Sequence, residues 1–90
     1  MDHSPAFICE HVFRFERDVL FVVHNTNGDW QLLCGGSGHT DGHVVGLGHL
    51  VHRDPTLTEI LDLPHGYEAE RDHRGAAWRR QPHDEKEGDS

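Results

Sequence analysis

Two apolar runs joined by turn-forming residues constrain this chain more than any other feature. Val19 to His24 reads Val-Leu-Phe-Val-Val-His, a β-branched and aromatic run of the kind that forms a strand buried on both faces. Asn25-Thr26-Asn27-Gly28-Asp29 follows, and Asn and Gly tolerate the positive φ that a tight turn needs. Trp30 to Cys34 is then the returning strand. Strand alternation puts Trp30, Leu32 and Cys34 on one face and Gln31 and Leu33 on the other. An antiparallel pair is therefore the nucleus around which the rest must pack.

The flanking segments supply further elements. Phe7 to Phe15 alternates loosely and predicts a strand with Cys9, His11, Phe13 and Phe15 on one face. Glu16-Arg17-Asp18 predicts a turn, and the glycine-rich segment from Gly35 to Gly42 a loop. Val44, Leu47, Leu50 and Val51 recur at helical spacing, which predicts a helix over Val44 to Arg53. Asp54-Pro55 punctuates the chain. Asp54 suits a helix N-cap, and Pro55 suits the first helical position, where no amide hydrogen is required. Leu57, Ile60 and Leu61 form the apolar stripe of this second helix, which Pro64 and Gly66 stop. Tyr67 to Arg71 and Ala76 to Arg80 predict two closing strands around the turn at Asp72-His73-Arg74-Gly75, with Trp30 and Trp78 as core anchors. The expected architecture is α+β: a mostly antiparallel sheet of four or five strands with two short helices on one face. Residues 1–5 are expected to be a disordered N-terminus, residues 6–81 a single domain, and residues 82–90 an acidic disordered tail.

A chain of 90 residues supports one domain and a modest core. The 8 basic and 16 acidic residues give a net charge of −8, a field that repels a phosphate backbone, so nucleic acid is excluded as the expected partner. No amino-terminal targeting pattern is visible, and the longest apolar stretch, Val19 to Val23, is too short to span a bilayer. The expected location is cytoplasmic, without a membrane partner. Two Cys in that compartment are expected to be reduced.

From Val19 to Arg80 the motifs occur in a recognisable order. Gly28-Asp29-Trp30-Gln31-Leu32 is followed by Gly36. Leu47 leads to Asp54-Pro55. Ile60-Leu61-Asp62-Leu63-Pro64-His65-Gly66 leads to Glu68-Ala69-Glu70-Arg71-Asp72 and Trp78. This order resembles a family of small bacterial proteins formerly classed as a domain of unknown function. That family is grouped with the immunity proteins of polymorphic toxin systems, number thirty-three in that series. The resemblance implies a non-enzymatic protein that binds a toxin domain and neutralises it. Asp62, Tyr67, Glu68 and Glu70 are the candidate contacts to a basic partner, through the closing hairpin and second helix.

The residues themselves suggest a second reading. Cys9-x-His11, with Cys34 at the end of a neighbouring strand and His39 on the glycine-rich loop, provides the two thiolates and two imidazoles of a tetrahedral zinc site. His43 is the alternative fourth ligand. Such a site would brace a small accessory domain rather than catalyse. The competing reading is ordinary: buried thiols in a core and solvated imidazoles among 10 His, including His49 and His52. Gly35-Gly36-Ser37-Gly38 is not a phosphate loop, because no Lys-Ser/Thr follows. A thiol nucleophile at Cys34 with His39 as base is the most distant reading, and no catalytic residue is assigned.

Overall fold

The computed structural model describes residues 5–14, 16–35 and 42–83. A six-stranded sheet forms the framework, with β1 (Pro5–Cys9), β2 (Phe21–His24), β3 (Trp30–Leu33), β4 (Gly42–Gly46), β5 (Tyr67–Glu70) and β6 (Arg79–Pro82). Three helical pieces accompany it: α1 (Glu10–Phe13), α2 (Leu47–Arg53) and a 3-10 helix over Pro55–Ile60. The spatial order is β4-β1-β3-β2-β5-β6. All neighbours are antiparallel except β1 and β3, which run parallel. The expected α+β class, mostly antiparallel, is therefore what the chain adopts, with six strands instead of four or five.

The central hairpin forms as its sequence dictates. The Asn25 amide donates to the Asp29 carbonyl at 2.8 Å, and the Gly28 amide donates to the Asn25 carbonyl at 2.9 Å. Gly28 holds φ at 97°, a conformation that a residue with a Cβ adopts only under strain. Pairing of Val22 with Leu32 and of His24 with Trp30 puts these four side chains on one face. Ala6, Ile8 and Ala69 join that face through their own pairings. Val12 from α1, Leu47 and Leu50 from α2, and Leu57 and Ile60 from the 3-10 helix pack into the same cluster. All three helices thus cover one face of the sheet. Burial of a side chain such as Leu57 or Ile60 contributes about 1.5–3 kcal/mol.

Three expectations are corrected. The first strand ends at Cys9, and α1 begins at Glu10 instead of the strand continuing to Phe15, which lies outside the described residues. The one-turn helix buries Val12 and is closed by the Arg14 amide on the Glu10 carbonyl at 2.9 Å. The predicted helix over Val44 to Arg53 divides into β4 and α2, with Gly46 extended at the junction. Val44 and Val45, both β-branched, prefer the pleated surface, where they pair with Phe7 and Ala6. The Phe7 ring lies over Gly42, in space that a Cβ there would occupy. The last strand runs over Arg79–Pro82 rather than Ala76–Arg80, because a turn closed by the Ala76 amide on the His73 carbonyl delays its start. Pro5 and Pro82 consequently belong to the sheet, not to the segments expected to be disordered, and the His83 amide donates to the Gly66 carbonyl at 2.8 Å. Residues 1–4 and 84–90 lie outside the described residues. Among the described residues no helix is long and apolar enough to cross a membrane.

Asp54 caps the 3-10 helix as its sequence predicts, accepting from the Thr56 amide at 3.1 Å and from the Thr56 hydroxyl. It also meets Arg71, whose side chain is wholly buried, at 3.1 Å, and Arg74 at 3.3 Å. Arg71 donates further to the Val19 carbonyl at 3.0 Å and to the Thr56 hydroxyl at 2.8 Å, and its guanidinium lies 4.3 Å from the centroid of the Trp78 ring. Partial burial works to raise the Asp54 pKa. The Thr56 hydrogen bonds and the charges of Arg74 and Arg71 outweigh it, holding the carboxyl below its ordinary 3.8. A carboxyl depressed in the folded state stabilises the fold above its unfolded pKa, and that contribution is lost as pH falls through the lower folded value. Stability measured by denaturant titration should therefore fall as the pH drops below about 4, the unfolded Asp range. Asp54→Ala should cost about 2–4 kcal/mol at neutral pH, because it removes a cap and strands a buried cation. A loss under about 0.5 kcal/mol, the range of ordinary surface substitutions, would show that the network is not structural.

Candidate metal centre

The parallel pairing of β1 with β3 decides where the cysteines lie. Parallel neighbours finish at the same end of a sheet, so the last residue of β1, Cys9, and the residue after β3, Cys34, meet there. The chain turns at Cys9 into α1, which swings His11 to the same place. One ligand atom from each of Cys9, His11 and Cys34 lies within 4.8 Å of the others. The Cys34 sulfur is 3.7 Å from His11 Nδ1. Both cysteines are free thiols, 1% and 3% exposed, while His11 is half-buried at the edge of the cluster. Cys9 and His11 had been expected to share a strand face; the turn into α1 brings them together instead.

The other nominated ligands fare differently. His39 lies outside the described residues. His43 is on β4, where its Nε2 meets Glu10 Oε1 at 2.7 Å and its ring stacks on Phe13 with centroids 3.8 Å apart. The His43 hydrogen bond is the chief cause that holds the Glu10 carboxyl below its ordinary 4.5, and Arg14 adds to it. His43 is therefore a buttress that ties β4 to α1, and it stands outside the Cys9, His11 and Cys34 group. His49 and His52 are exposed on α2.

The proposed partner contacts are divided by the pleat. Tyr67 points to the helix-bearing side with Ala69, whereas Glu68 and Glu70 point to the open face. Nearby groups already meet the carboxylates. Asp62 pairs with Arg80 at 2.8 Å and Glu70 with Arg79 at 3.9 Å, and Glu68 accepts from Gln81 at 2.6 Å and meets His83 at 2.7 Å. Tyr67 is itself 36% exposed, and the two most exposed large apolar side chains are Val44 at 68% and Phe7 at 45%, paired across β4 and β1.

His24 is a buried polar residue that sequence reasoning took for a strand end. It stacks on Trp30 at 3.8 Å, and its Nδ1 donates to the Leu63 carbonyl at 2.7 Å. Because a carbonyl only accepts, Nδ1 carries the proton. Arg71 was likewise read only as a strand residue. A cation next to Asp54-Pro55 in space but distant in sequence leaves no local signal. Comparison with protein-family models, with curated proteins and with solved structures finds no match.

Proposed function

We propose that this chain is a small accessory domain braced by one zinc ion on Cys9, His11 and Cys34. The observation that carries the reading is the convergence of two thiols and an imidazole within 4.8 Å at the ends of two parallel strands. Soft sulfur with imidazole suits zinc better than magnesium or calcium, which prefer oxygen. Zinc takes four donors, and the sequence nominates His39, which lies outside the described residues, for the fourth. Both sulfurs are buried, a setting that suits a ligand better than a nucleophile presented to substrate. A metal there would clamp the end of β1 to the end of β3 and hold α1 against both.

Untagged protein in native mass spectrometry should carry one zinc per chain, and Cys9→Ser with Cys34→Ser should lose it. Zinc a hundredfold above its dissociation constant should raise the melting temperature by about 10 °C or more. Metal-free protein with reduced thiols, and a melting temperature unmoved by zinc, would sink the reading.

A second reading, a non-enzymatic domain that binds a protein in the manner of the immunity proteins, is favoured by one specific feature. Phe7 on β1 and Val44 on its neighbour β4 form an exposed apolar pair on the open face, and the net charge of −8 suits a basic partner. Val44→Asp should leave the melting temperature within about 2 °C, as a surface change does. It should also abolish recovery of a basic protein from lysate at low salt. Equal recovery by both forms would remove this face from consideration.

A further inference from the structure

The seven arginines of this acidic chain are unevenly placed. Arg17, Arg53 and Arg74 line one open cleft of about 310 Å³, whose apolar wall is Val12, Val19, Leu50 and Leu57. Asp18 and Asp54 also line it. Asp54 pairs with the buried Arg71 as well as with Arg74, so the cleft and its backing hold four guanidiniums against the carboxylates of Asp18 and Asp54. Arg53 donates to the Val12 carbonyl at 3.3 Å, which fixes its guanidinium at the wall. The backbone of Arg17 is held on the His11 carbonyl at 3.3 Å. Its guanidinium has no partner among the described residues. The result is a concave, locally cationic site with an apolar wall, in a chain whose net charge is −8.

We infer that this cleft binds a small oxyanion, a carboxylate or a phosphate monoester, carried on a short apolar or aromatic body. The arginine fork matches either head group with paired N–H donors. The apolar wall takes the body, and the volume, at the small end of ligand sites, admits one ring-sized group. A purely inorganic anion would leave the wall unused. A large nucleotide would not fit, and it would carry its extra charge past Asp18. The inference stands apart from the zinc reading, since none of the cleft residues is a proposed metal ligand.

The test is an amide-resonance titration of the full chain with phenylacetate, phenyl phosphate and the neutral phenylacetamide. Saturable shifts confined to Val12, Arg17 to Val19, Leu50, Arg53 to Leu57 and Arg74 are expected from at least one acid and not from the amide. Which acid binds tells a carboxylate site from a phosphate site. Arg17→Ala, a change at an exposed position, should weaken that binding by about tenfold, the effect of one charge-assisted hydrogen bond. The inference is overturned if neither acid gives saturable shifts up to about 10 mM, tenfold above a millimolar dissociation constant. It is also overturned if the amide binds equally, if the shifts spread over the whole chain, or if Arg17→Ala binds as tightly as the parent.

Discussion

One buried guanidinium joins the sheet to the helical layer. Arg71 leaves the end of β5 and reaches the start of β2 through the Val19 carbonyl, the 3-10 helix through Thr56 and Asp54, and the Trp78 ring. Removing a charge from water costs several kcal/mol, and only dense partners repay it. Here an ion pair, two further acceptors and an aromatic face surround a side chain with no exposure. A chain this short has little apolar surface to bury, so a polar joint that fixes three segments at once carries weight that a larger domain would assign to its core. The same joint occupies Asp54, and in doing so it shapes one wall of the arginine-lined cleft.

How much could be read from the residues depended on range. The hairpin at Asn25 to Asp29 and the cap at Asp54-Pro55 are local chemistry, and both formed where the turn and cap residues stand. The α+β class followed from counting such elements. The pairing of Cys9, His11 and Cys34 was also legible, but for a reason that the structure replaces. Alternation along a strand suggested that Cys9 and His11 share a face, whereas a parallel neighbour and a one-turn helix bring them together. Parallel partners are distant in sequence, and nothing in Pro5 to Cys9 advertises which strand it will lie beside. The split at Gly46 was hidden because Val44, a strand residue, happens to fall in step with the helical period of Leu47, Leu50 and Val51 in α2. Arg71 was invisible for the same reason of range: its partners are scattered along the chain.

The four residues of α1 would not hold a helix alone, since a single turn does not repay its nucleation. Contacts from outside hold it. The Glu16 and Arg17 amides donate to the His11 carbonyl, Arg53 donates to the Val12 carbonyl, and His43 meets Glu10. One side of this turn presents His11 to the cysteines, and the other presents Val12 to the cleft. The two candidate sites thus share one backbone turn.

The order of the strands has a mechanical meaning. Among the described residues, β4 pairs with the sheet only through β1, because β1 lies between it and β3. The first strand of the chain is therefore a splint: if it is lifted, β4 loses every ladder hydrogen bond along with it. Anything that pulls β1 away from β3 acts on two strands at once, and it parts the strand ends where Cys9 and Cys34 meet.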